Sequence, residues 1–282
     1  MLTRVRCVLA ASALALSAMA SPSTLAAVFS EVGATGAEIQ DTVDAFRAAL
    51  GTLNPNTPGS FGTGRREINW DGVPDAFSSP NAFPADFFNA NTPGRARGVV
   101  FSTPGTGFEV SADSANPTLT PTQFGNLNSG FPQRFEPFSQ EKLFTAIGSN
   151  VIDVQFFIPG SSSPSLTRGF GAVFSDVDLA DVSSLSFYDA GDNLLGTFFV
   201  PAMLGEETQS FLGVTFDDAI VNRVRIVAGN FQLAPNSSLD AKDYVAPDDF
   251  IYGEPVPESA TWLLLAAGLA TLAWLRGKRA GL

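Results

Sequence analysis

The feature that most constrains this chain is a two-residue alternation of apolar and polar side chains, recurring in short runs through its second half. In residues 151–158, Ile152, Val154, Phe156 and Ile158 fall on one side, with Asp153 and Gln155 on the other. Phe170, Ala172 and Phe174 repeat the pattern. Leu185 and Phe187 alternate with Ser184, Ser186 and Tyr188, and Val224, Ile226 and Ala228 alternate with Arg223 and Arg225. Successive side chains of a strand point to opposite faces, so each run has one face to bury. Runs at 194–200, 209–216 and 249–253 extend the series, and Asp189-Ala190-Gly191-Asp192-Asn193 reads as a hairpin turn. This spacing predicts a mainly β chain: a jelly-roll-like two-sheet sandwich. Gly 26 and Pro 19 in 282 residues favour turns over long helices, and a 45% hydrophobic content supplies a core. No repeat of solenoid or propeller length is visible. On this pattern Phe156, Phe174 and Phe187 are core residues, and Asp153 and Ser186 face outward.

One amphipathic helix is expected near the N-terminus. Thr35-Gly36-Ala37-Glu38 has the form of a capping box, Ile39, Val43, Phe46 and Leu50 recur at helical spacing, and Gly51 supplies a stop. Such a helix would cover a sheet edge or end. Residues 54–137 are punctuated by Asn-Pro, Thr-Pro-Gly and Phe-Pro turns and read as long loops, with short strands at 67–70, 98–101 and 107–111. Phe77, Phe83, Phe87 and Phe88 predict that these loops pack onto the domain.

Composition excludes several function classes. A formal charge of −12 opposes general nucleic-acid binding. With no histidine, the commonest general base and transition-metal ligand are missing, and a serine would have no imidazole to activate it. No nucleophile elbow or phosphate-binding glycine loop occurs. Glycosidase chemistry needs two carboxylates, and the many acids here single out no pair. A non-catalytic structural or binding role is therefore expected. Aspartates cluster late: Asp176, Asp178, Asp181, Asp189, Asp192, Asp217, Asp218, Asp240, Asp243, Asp248 and Asp249. Exported sandwiches hold calcium through such oxygens, and Asp248-Asp249, at the entry to a strand, is the best pair for it. Trp70, beside an Asp-Gly turn, is the candidate for stacking on a sugar ring, the other reading being that it closes the core. A calcium-dependent glycan-binding module is thus the alternative function, and a carboxylate-based glycan-cleaving enzyme a more distant one.

The two ends read as addresses. Arg4 and Arg6, an apolar run from Val8 to Ala20, and small-residue cleavage sites at Ala18-Met19-Ala20 or Ala26-Ala27 form a secretory signal peptide over residues 1–27, which implies the Sec translocon and signal peptidase as partners. The single cysteine, Cys7, lies inside it. At the other end, Pro257-Glu258 precedes an apolar stretch at 261–275 and then Arg276, Lys278 and Arg279. As a helix that stretch spans about 22 Å, short for a bilayer core of about 30 Å, and Trp262 and Trp274 sit at its ends. This tail resembles the PEP-CTERM sorting signal of exopolysaccharide-producing Gram-negative bacteria: a Pro-Glu-Pro motif, a transmembrane stretch and a basic end. Ser259 stands where the second proline is usual. The resemblance implies recognition of Pro257 and Glu258 by an exosortase and cleavage nearby, with the inner membrane engaged transiently and the product at the cell surface or in the exopolysaccharide matrix. Residues 28–255 form the sandwich domain and 256–282 the sorting signal. The runs GFGAVFSDVD, SFYDAGDNLLGTFFVP and APDDFIYGEP resemble lectin-like sandwich domains of other PEP-CTERM proteins, which implies no particular activity. Without the two ends, 11 bases remain against 27 acids, a net −16.

Overall fold

The structure, a computed structural model, describes residues 26–235, 238 and 242–258. In chain order it contains β1 (Ala26–Gly33), α1 (Gly36–Leu50), β2 (Arg65–Ile68), β3 (Val99–Ser102), β4 (Gly107–Val110), β5 (Phe144–Ile147), β6 (Val151–Phe156), β7 (Gly169–Ser175), β8 (Ser184–Tyr188), β9 (Leu194–Phe199), β10 (Gln209–Phe216), β11 (Arg223–Val227) and β12 (Ala246–Gly253). Two five-stranded antiparallel sheets, ordered β1-β10-β7-β12-β2 and β3-β6-β11-β8-β9, share one core, and β4-β5 form a small ribbon beside it. The chain is therefore the mainly β two-sheet sandwich that the alternation predicts. Ile152, Val154 and Phe156 of the second sheet meet Phe170, Phe174, Leu212 and Phe250 of the first in a single buried cluster. Phe156 lies 6.3 Å from Phe170, and Phe187 lies 5.6 Å from Phe216, ring centre to ring centre.

Strands β7, β10 and β12 are buried on both faces because α1 covers the outer one. Ile39, Val43, Phe46 and Leu50 pack on Val173, Phe211 and Ile251. The helix thus lies on a sheet face, not over an edge or end. Two paired glycines, Gly171 and Gly213, receive it: a Cβ there would fall 2.8 and 2.7 Å from the Phe46 ring. The expected capping box does not close, because the Glu38 carboxylate reaches one residue past the N-cap. Glu38 accepts a hydrogen bond from the Ala34 N–H at 2.8 Å, while the Thr35 side chain makes no capping bond.

Three further differences from the sequence reading have simple causes. β1 begins at Ala26, inside the span assigned to the leader, because its small and apolar residues pair in register with β10. Asp153 is not a bare outward residue. The register sets it opposite Arg225, and it accepts from Arg225 Nε and Nη2 at 2.9 and 2.8 Å and from Arg223 Nη1 at 2.8 Å. Ser186 is covered by β9 and shares a 2.9 Å hydrogen bond with Thr197.

One interaction ties the first sheet to its loops. Arg66 and Glu254 are both buried, and Arg66 donates to the Glu254 carboxylate through Nε at 2.8 Å and Nη2 at 2.9 Å. Its remaining donors reach the carbonyls of Thr57 at 3.3 Å, Gly59 at 3.0 Å and Ala96. Among the described residues no helix is long and apolar enough to cross a membrane. Residues 1–25 of the leader, the apolar stretch at 261–275 and Arg276, Lys278 and Arg279 lie outside the described residues.

The core assignment predicts a clear contrast. Replacing Phe156, Phe174 or Phe187 by Ala is expected to cost about 3–5 kcal/mol each in a denaturant titration. Gln155→Ala, on the exposed side of β6, should shift stability by about 0.5 kcal/mol or less.

Candidate functional site

A bulge in β12 builds the site. Pairing with β7 slips between Pro247 and Phe250, so Asp248 and Asp249 both meet the segment at 138–139. Asp248 accepts from the N–H groups of Phe138 and Ser139 at 2.7 and 3.3 Å. Asp249 accepts from the Ser139 hydroxyl at 2.7 Å and from Arg47 Nη2 at 3.3 Å. Arg47 reaches out from α1 and also donates to both Glu67 oxygens, at 3.2 and 3.1 Å. Asp71 holds the same segment through the Lys142 N–H at 3.2 Å. Three aspartates therefore fasten residues 138–142 over the sheet.

Burial shapes the charge state of this corner. It is the leading cause that raises the Asp248 carboxyl well above the ordinary range, with the neighbouring Asp249 adding to it. Asp249 is pushed up to about 6 by burial, against the pull of Ser139 and Arg47. Burial raises Asp71 as well.

The expectation of calcium at Asp248 and Asp249 does not match these surroundings. Calcium takes six to eight oxygens. Here the carboxylate oxygens are turned to N–H donors, a hydroxyl and a guanidinium rather than gathered around a common centre. Among the described residues no three acidic, His or Cys side chains come together as a metal group. Trp70 is corrected too. It is 1% exposed, stacked on Phe144 at 4.0 Å and edge-on to Phe250 at 5.1 Å, so no indole face is left for a sugar. Phe83 and Phe88 from the long loop close over it. Pro257 and Glu258 are exposed.

Beside Asp249 opens a cleft of about 450 Å³, lined by α1, the loop after it, β2, residues 138–139 and β12. Its polar walls include Arg47, Asn56, Glu67, Asn69, Arg97 and Asp249; Leu53 and Phe138 are apolar. The Asn56 side-chain carbonyl is buried without a hydrogen-bond partner. Arg97 donates to the backbone carbonyls of Glu67 at 2.7 Å and Gly94 at 3.1 Å and lies over the Phe88 ring. Among the described residues no carboxylate pairs with Arg97.

No family model and no curated protein matches this chain. Among solved structures, the enzymatically active domain of tailspike protein 4 from bacteriophage CBA120 shows a similarity at 15% identity and a TM-score of 0.27, covering 64% of this chain and 22% of that one. A TM-score that low carries no argument here.

Sequence reading singled out Asn69-Trp70-Asp71 and Asp248-Asp249, and the structure brings them to one corner, but with other roles. Asn69 lines the cleft while Trp70 turns into the core. Arg47, Asn56, Glu67 and Arg97 escaped notice, and only the alternation around Glu67 hinted at an outward carboxylate.

The other aspartates divide. Asp189 is a turn former, accepting from the N–H groups of Gly191 and Asn193 at 2.8 and 2.9 Å. Asp243 is buried and accepts from the Asp178 and Leu179 N–H groups. Asp176 is fully buried, and neither of its oxygens has a hydrogen bond, although Arg134 stands 3.6 Å away. Burial first, then the charges of Asp178 and Glu206, push its carboxyl up to about 8.

Two outcomes follow for variants of these carboxylates. Asp248→Asn keeps an acceptor for the two N–H groups and should change stability by less than about 1 kcal/mol. Asp248→Ala leaves both unpaired and should cost about 2–3 kcal/mol by denaturant midpoint. Asp176 binds its proton more tightly folded than unfolded, so stability should fall as pH climbs from about 4 to about 8. Melting curves should therefore place Asp176→Asn above the parent at pH 8 and level with it at pH 4.

Proposed function

We propose that this chain is an exported protein, sorted to the cell surface or extracellular matrix, whose sandwich domain serves a non-catalytic structural or binding role. The observation that supports it best is the position of the Pro257-Glu258 motif. Val256 still bridges Leu166 by backbone hydrogen bonds of 2.8 and 2.9 Å, and Pro257 and Glu258 directly after it are exposed. A membrane enzyme would meet the motif at the point where the fold ends, with the apolar run and basic residues following. The net −16 of the part between the ends suits a soluble domain on the outside. The carboxylates beside the cleft are tied to guanidinium, hydroxyl or backbone donors, which suits recognition better than bond cleavage.

The test is maturation in a host that carries an exosortase. Deleting residues 276–282, or changing Pro257-Glu258 to Ala-Ala, should leave unprocessed protein in the membrane fraction. Equal intact masses for variant and parent at the surface refute the proposal.

A further inference from the structure

We infer that the cleft beside Asp249 binds a short stretch of a neutral, hydroxyl-rich polysaccharide. This deepens the preceding reading and rests on it for the setting in which such a polymer is met. Four observations lead there. First, the volume of about 450 Å³ falls within the range of about 300–1,000 Å³ in which small-molecule sites occur.

Second, the charges balance. Arg47 and Arg97 stand against Glu67 and Asp249, so the cleft offers no surplus of either sign to a phosphate or a cation. An anionic polymer would also meet the net −16 of the whole domain.

Third, the Asn56 carbonyl oxygen is a buried acceptor with nothing to accept from. A buried unpaired acceptor is costly, and a ligand hydroxyl would satisfy it. Arg97 complements it as a donor whose guanidinium contacts only backbone carbonyls and an aromatic face. Amides, carboxylates and guanidinium groups are planar and present their hydrogen-bonding atoms side by side, as adjacent ring hydroxyls do. Fourth, Leu53, which is 49% exposed, and Phe138 give an apolar wall for the C–H face of a sugar ring.

The inference is tested by native electrophoresis of the full-length chain in gels that contain dextran, galactomannan or mixed-linkage β-glucan, with alginate as the anionic contrast. At least one neutral polymer should retard the parent. Asn56→Ala and Leu53→Ser should each weaken that retardation about tenfold in apparent dissociation constant. Gln155→Ala, on the other sheet, should leave it unchanged. Melting curves of all three variants verify that they are folded; Leu53 is exposed and Asn56 half-buried. The inference is overturned if no neutral polymer retards the parent, if alginate alone does so, or if the cleft variants are retarded like the parent. Retardation of the purified chain does not depend on sorting, so failure here and failure of the tail test are separate results.

Discussion

Arg66 and Glu254 meet in the interior from opposite ends of the domain, 188 residues apart in sequence. An arginine taken out of water must fill its five donors, and this one does so with two carboxylate oxygens and three backbone carbonyls. Removing one member of such a pair strands a buried charge, a loss of about 3–5 kcal/mol. Its reach is wider than that figure conveys. The carbonyls of Thr57, Gly59 and Ala96 belong to loops with no regular structure of their own, and Glu254 in turn accepts from Asn54 and Phe61. Asn56 and Arg97, the two cleft residues left without full partners, ride on these loops. Their placement is a consequence of the ion pair.

The acidic corner follows a different logic. Asp248, Asp249 and Asp71 would repel one another in water. They are held together because the segment at 138–142 brings N–H and hydroxyl donors and α1 brings Arg47. Asp249, one of the carboxylates that fasten that segment, also forms part of the cleft wall.

What could be read in the sequence were features with local periodicity. The four apolar positions of α1 and the alternation in β6, β8 and β11 are fixed by neighbours a few residues away, and they match the buried set. Pairings across long separations were not legible. Nothing near Arg66 points to Glu254, and nothing near Trp70 says that Phe144 will stack on it. The bulge at Asp248-Asp249 is equally silent, since it is defined by register against β7. A pair of carboxylates such as Asp248-Asp249 reads as a cation site until the donors opposite them are known. Ala26 and Ala27, the first two residues of β1, fall in the span read as the leader because small apolar residues fit both readings.

The order of the first sheet carries a consequence for how the chain reaches its final state. β12, nearly the last described segment, lies between β7 and β2 rather than at an edge. A chain delivered N-terminus first has β2 and β7 in hand long before the strand that joins them. Until residue 253 arrives, β2 has no partner in the sheet, Arg66 has no carboxylate, and the edge of β7 stays open. The first sheet therefore cannot close before nearly all of the described chain has been made. The first sheet is thus completed from its middle, with the late strand β12 as the bolt between β7 and β2.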